Sequence, residues 1–181
     1  MKEFYFVRHG QTDANLKGIM CGGMWDLELN STGLEQAERA ANLLKAKVQD
    51  INSIFVSPMK RAQQTAGFFA KNFALPMTRI EELREWKIGS WEKVSFESIK
   101  EQFLGTGEPP GDGESRHAFQ TRVKTGFEKC LVETAPFLMV SHGGVGLALQ
   151  KILGTDVSRI ENCVLHRVYQ TTGATWKVET L

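Results

Sequence analysis

Phe4 to Val7 form an unbroken aromatic and β-branched run that stops abruptly at the polar, glycine-containing stretch RHGQTDAN. That pattern predicts a buried strand feeding a loop. Leu34, Ala37, Ala41, Leu44 and Val48 then recur at spacings of three and four, the signature of an amphipathic helix that Asn30 or Ser31 can cap. A second strand is predicted over Ser53 to Val56, and Ser57-Pro58 reads as an N-cap with proline at the first helical position. The helix after it carries Ala62, Ala66, Phe69 and Phe73 on its apolar side. Met77 to Ile80 is a weaker strand pattern, Ser95 to Phe103 is helical, and the glycines and prolines of Gly105 to Gly113 demand a loop, a candidate lid. Ser115 caps a helix bearing Phe119, Val123, Phe127 and Cys130, and Phe137 to Val140 is another apolar run stopping at polar residues, SHGGVG. A helix follows to Leu153 with Gly154 as its cap, and Val164 to Thr171 and Ala174 to Thr180, joined at Gly173, read as closing strands.

Strands alternating with amphipathic helices predict a three-layer α/β/α sandwich, its central sheet mostly parallel and the final hairpin adding an antiparallel element. No repeat or linker interrupts this order, so residues 1–181 read as one domain. In such sheets ligands bind beyond the carboxyl ends of the strands. Arg8-His9, the Ser57 to Arg61 turn and Ser141-His142 all fall at such ends.

Charge and cysteine content narrow the setting. Twenty-two basic against 21 acidic residues leave a net charge of +1, so no global field draws the chain to nucleic acid or a membrane surface. Affinity for an anion has to come from a local cluster. Cys21, Cys130 and Cys163 are odd in number, dispersed and without a CxxC pair, which disfavours a disulfide framework or thiolate zinc site and fits a reducing cytoplasm. The first residues run directly into a strand, too short for a signal peptide's apolar segment, and no apolar run approaches the ~20 residues of a bilayer span.

Three distant segments thus place Arg8 and His9, Arg61, and His142 just after strands. Guanidiniums match phosphate oxygens bidentately, and imidazole serves as nucleophile or donor, so these four groups together would make a dianion pocket. Taken singly, a histidine is more often a packing residue, and Arg61 a solvated helix charge; the repeated strand-end placement reverses that weighing. His117 and His166 read as surface or structural residues, Trp25, Trp86 and Trp91 as packing, and Cys21 as incidental.

The ordered set RHGQTDAN, SPMKRAQQTA, LREWKIGSWE and VSHGG resembles the motifs of the histidine phosphatase (phosphoglycerate mutase-like) superfamily over almost the whole chain. The resemblance implies that His9 accepts a phosphoryl group, that Arg8, Arg61 and His142 hold it with Asn15, the Gly23 N–H and Gly143, and that Glu85 is the proton donor. Glu81 and Glu82 compete with Glu85 by position alone; the spacing to Gly89 in the family motif selects Glu85. Glu114-Ser115 matches a family GES element and reads equally well as a helix start. Departures fall at Gly22, where many members have glutamine, and at Glu28, where proline is common; both touch substrate contacts rather than phosphoryl chemistry.

Physical chemistry supports the same roles. Cations beside His9 disfavour the imidazolium and keep the nucleophile neutral, while they stabilise the equatorial oxygens in flight, so neither a metal nor another cofactor is expected. A carboxyl beside a bound dianion retains its proton by like-charge repulsion and can protonate the leaving alkoxide, then deprotonate water. The expected activity is hydrolysis of a small phosphorylated metabolite through a phosphohistidine. A phosphoglycerate mutase-type phosphotransferase is the alternative, and a non-catalytic phospho-ligand module ranks below it. Glu85 and His142 stand 57 positions apart (85 to 142) and 39 residues follow His142 (143 to 181), whereas mutases resemble longer chains with more covering structure. A Ser-His-Asp hydrolase lacks its GxSxG element. The GDGES segment is similar to α-ribazole phosphatases; few fixed charges in MCGGMWD and near Glu85 point to a leaving group that is not strongly anionic, with Lys17, Lys87 and Lys93 as the alternative recognisers of a second acidic group. Monomer and homodimer are both open.

Overall fold

The computed structural model describes residues 2–105, 107–132, 136–156 and 160–181. Six strands form one sheet: β1 (Glu3–Arg8), β2 (Ser53–Val56), β3 (Met77–Arg79), β4 (Phe137–Ser141), β5 (Leu165–Gln170) and β6 (Trp176–Thr180). Their order is β3-β2-β4-β1-β5-β6. β3, β2, β4 and β1 are parallel, and β5 and β6 pair antiparallel at the other side. The mixed α/β architecture read from the strand-helix alternation is therefore observed.

Alternation along the strands divides the interior, since successive side chains point to opposite faces. Phe4, Phe6, Phe55, Phe137 and Met139 pack on one face with α5 (Arg116–Cys130) and α6 (Gly143–Leu153). Tyr5, Val7, Ile54, Val56, Leu138 and Val140 pack on the other with α2 (Ser31–Lys47) and α3 (Lys60–Phe73). The short α1 (Asp13–Leu16) and α4 (Phe96–Gly105) stand above the carboxyl ends of the strands, with 3₁₀ turns at Glu81–Leu83 and Gly89–Trp91. Asn30 caps α2 by accepting the Gly33 N–H at 2.9 Å, Ser115 caps α5 by accepting from Ala118 at 3.2 Å, and Gly154 closes α6 with φ +67°, all three as the pattern predicts.

Three local expectations need correction. Ser57-Pro58 does not start α3: the helix begins at Lys60 with Met59 as an uncapped N-cap, and the Ser57 Oγ instead accepts the Met59 N–H at 3.3 Å and stands against His142. Leu34 is exposed, and Ala40 takes its place on the buried side of α2. The RHGQTDAN segment is not all loop; Thr12 and Asn15 form a capping box that starts α1. Of the two histidines read as surface or structural, His117 is exposed and His166 is buried, as that reading allows.

In the glycine-rich stretch 105–113, Thr106 lies outside the described residues, and the residues after it are anchored by hydrogen bonds. The Arg116 guanidinium donates to the Gly107 carbonyl at 2.8 and 3.0 Å, and the Glu114 N–H donates to the Lys87 carbonyl at 2.7 Å. No described helix is long and apolar enough to cross a membrane.

Candidate active site

Parallel pairing of β1 with β4 sets Arg8 opposite Ser141, so His9 and His142 leave adjacent strand ends. The His9 N–H donates to the Ser141 carbonyl at 2.9 Å, and the two imidazoles meet with centroids 5.1 Å apart at 63°. Both rings are buried. On the other side of β4, Val56 of β2 pairs with Val140, which sets the Ser57 Oγ 2.7 Å from His142 Nε2. Nδ1 of His142 has no hydrogen-bond partner among the described residues.

The tautomer of His9 follows from its partners. Nδ1 lies 2.7 Å from the Gly10 carbonyl, which can only accept, so Nδ1 carries the proton. Nε2 accepts the Arg61 Nε–H at 3.1 Å and therefore carries the lone pair. Burial, then the Arg61 and Arg8 charges, hold His9 well below the ordinary histidine range; burial, then Arg61, does the same for His142. Asn162 Nδ2 donates to the His9 carbonyl at 2.7 Å and the Gly10 N–H donates to Thr65 Oγ1 at 3.0 Å, which immobilise the turn carrying the ring.

Arg61, 1% exposed, enters from the first turn of α3. Beyond His9 its guanidinium donates to the carbonyls of Trp25 (3.1 Å) and Gly22 (3.0 Å). Gly22 has φ +57°, and a Cβ there would meet the Glu92 carboxylate at 2.2 Å, so the turn that aims this carbonyl at Arg61 requires glycine. Burial lowers the pKa of Arg61, yet a guanidinium keeps its charge. Arg8 donates to the Ile160 carbonyl at 3.0 Å.

The Glu85 carboxylate spans two backbone donors, Trp86 N–H on Oε1 (2.8 Å) and Gly144 N–H on Oε2 (3.0 Å). The second donor belongs to the first turn of α6, where the helix dipole favours negative charge. Behind it, Arg122 pairs with Glu114 at 2.6 Å and donates to the carbonyls of Glu82 (2.9 Å), Arg84 (2.8 Å) and Glu85 (3.4 Å). That arginine stitches the GES segment to the backbone that carries Glu85.

These groups line a cavity of about 450 Å³. Arg8, His9, Asn15, Arg61, Glu85 and Gly143 face it, and His142 abuts it through His9. Gly23 does not line it; that residue packs on the Glu85 backbone, where an added Cβ would stand 2.3 Å from the carbonyl oxygen. Neither Lys17, Lys87 nor Lys93 lines the cavity. Cys21 does, with burial pushing its thiol up and so keeping it protonated. Among the described residues, no group of three or more His, Cys, Asp and Glu side chains gathers in a metal-binding arrangement.

Sequence reasoning passed over Ser57, Gly144, Arg122 and Asn162. Ser57 carried a local signal, but its Ser-Pro pattern pointed to a cap. The other three act on groups 37 to 153 positions away, and no local spacing announces them.

The chain belongs to the histidine phosphatase superfamily (branch 1), whose family model matches residues 4–180. It is 31% identical over 99% of its length to a protein of Enterobacter sp. (strain 638) named "Probable phosphoglycerate mutase GpmB", covering 92% of that relative. Among solved structures it resembles the α-ribazole phosphatase of Shigella flexneri with 25% identity and TM-score 0.79, covering 99% of this chain and 95% of that one. A mycobacterial glucosyl-3-phosphoglycerate phosphatase, 24% identical with TM-score 0.84 over 100% of this chain and 99% of its own, shares the fold.

Proposed function

We propose that the protein is a phosphomonoesterase that hydrolyses a small phosphorylated metabolite through a phosphohistidine on His9. One observation carries this reading: His9 holds its lone pair on Nε2, at a cavity that it shares with Arg8, Arg61 and Glu85. In the first step Nε2 attacks phosphorus and the P–O bond to the leaving alcohol breaks as Glu85, protonated, passes its proton to the departing oxygen. The Glu85 carboxylate then takes a proton from water, whose oxygen attacks phosphorus and breaks the Nε2–P bond. Inorganic phosphate leaves and Glu85 is again protonated.

Charge balance supports the assignment. With both histidines neutral, Arg8 and Arg61 supply two positive charges to a dianionic phosphate. The two guanidiniums stabilise the equatorial oxygens, so metal-independent transfer is part of the proposal. His142, with a free Nδ1, and Asn15 and Gly143 complete the oxygen contacts. The proposal also treats residues 1–181 as one catalytic domain working in the cytoplasm.

The test is a panel of phosphate monoesters given to the wild type and His9→Ala, with an alkaline detergent quench to preserve the acid-labile, base-stable phosphoenzyme. Release of inorganic phosphate that disappears in His9→Ala, unaffected by a chelator, is the expected result. Isomerisation of phosphoglycerate outrunning phosphate release would instead assign a mutase, and phosphate binding without turnover a binding module.

A further inference from the structure

The Arg8, His9, Arg61 and Glu85 end occupies only part of the cavity; beyond it the wall is formed by Ile19, Met20, Ile88, Phe96, Phe103 and Leu147. Resting on the phosphatase reading above, we infer that the group esterified to phosphate is an uncharged, predominantly apolar alcohol rather than an acidic or sugar alcohol.

Three features of the wall carry this. Among the described residues its charged lining is Arg8, Arg61 and Glu85, each already engaged at the phosphate end by the hydrogen bonds described above. A carboxylate or second phosphate on the leaving group would be taken from water with no free cation among the described lining residues to receive it, an unfavourable desolvation in a partly enclosed site. Lys17, Lys87 and Lys93 stay outside the lining, and Lys93 lies over the Trp25 ring at 5.7 Å.

The apolar surface is also held open. The Met20 N–H donates to the Val94 carbonyl, the Lys93 N–H to that of Met20 and the Phe96 N–H to that of Gly18, at 2.8 to 2.9 Å, so segments 18–20 and 93–96 are stitched together. Phe103 is wedged among Phe96, Trp91 and Trp86 at centroid separations of 5.6, 5.9 and 6.3 Å. Such a ring cannot fold into the cavity to fill it, and it presents an aromatic face to whatever enters. Leu147 stands one turn beyond Gly143 on α6, beside the mouth, and is 54% exposed. A volume of about 450 Å³ lies within the ~300–1,000 Å³ typical of small-molecule sites.

The experiment compares kcat/KM for 2-phenylethyl phosphate, 3-phosphoglycerate and glucose 6-phosphate, all esters of alkyl alcohols, in the wild type, His9→Ala, Phe103→Ala and Leu147→Glu. The apolar ester is expected to lead by roughly 10- to 100-fold, and either wall variant to shrink that lead about tenfold. Because Leu147 is exposed, its substitution reads the wall without disturbing the aromatic packing around Phe103. His9-dependent turnover in which phosphoglycerate or the sugar phosphate equals or exceeds the apolar ester overturns this inference and leaves the phosphatase reading standing. Absence of His9-dependent turnover on all three esters overturns both.

Discussion

At the scale of single residues, the site depends on a few atoms whose partners leave no freedom. His9 is held in one tautomer by a carbonyl on one ring nitrogen and an N–H on the other, so its lone pair is set on Nε2 before any ligand arrives. Gly144 is equally constrained. Its N–H holds Glu85 Oε2, and a Cβ added there would stand 2.3 Å from Glu85 Oε1. The atom that would move is the far end of a flexible side chain, so Gly144→Ala should fold normally and gain slightly from helix propensity while the carboxyl swings away. We expect kcat to fall by roughly 10²-fold or more, with the urea midpoint and the inhibition constant of inorganic phosphate nearly unchanged. Wild-type kcat in this variant would remove Glu85 from the proton-transfer role.

At the scale of elements, the carboxyl-end loops are aligned by contacts between secondary structures rather than by their own propensities. The clearest case is α5, which presents Arg122 to the carbonyls of residues 82, 84 and 85 while Glu114, just ahead of its cap, holds the guanidinium in place. Phe119 below it stacks on Trp86 at 5.4 Å, so the same helix sets both the backbone of Glu85 and the ring of its neighbour. Removing the guanidinium by Arg122→Ala strands these carbonyls and the Glu114 carboxylate in a half-buried position. A loss of about 2 kcal/mol follows from unsatisfied groups of this kind. The predicted kinetic signature separates positioning from mere instability: kcat falls while phosphate affinity is kept, since the Arg8, His9 and Arg61 cluster does not touch α5. A proportional loss of both would show that Arg122 only supports the fold.

At the scale of the whole molecule, burying two histidines at the heart of the sheet makes global stability depend on pH. His9 and His142 are both held well below the ordinary histidine value of about 6.5, chiefly by burial. Above pH 6.5 both folded and unfolded chains carry them neutral, and the native state keeps its full advantage. As pH falls below 6.5 the unfolded chain binds protons that the folded one refuses, so stability drops, by at most about 2.7 kcal/mol per pH unit for two protons. The drop continues until the folded pKa values are reached. Urea unfolding at intervals between pH 7 and pH 5 should show this slope, and the double variant His9→Gln, His142→Gln should flatten it. Parallel curves for the two proteins would refute the linkage.

Much of this molecule was written locally. Runs such as Phe4 to Val7 and Phe137 to Val140, each ending at charged or hydroxyl residues, fix strands and mark where polar chemistry begins, because a buried backbone tolerates polar side chains only at its ends. The helix caps at Asn30, Ser115 and Gly154 were legible for the same reason: their partners lie within four or five residues. What tertiary structure alone decided was adjacency. Pairing β1 with β4 across more than 130 positions brings His9 against His142, pairing β2 with β4 sets the Ser57 hydroxyl on that second imidazole, and tertiary packing puts α5 behind Glu85. Periodicity and propensity act over a few residues, whereas these contacts arise from burying both faces of one sheet, a condition that only the assembled chain can satisfy.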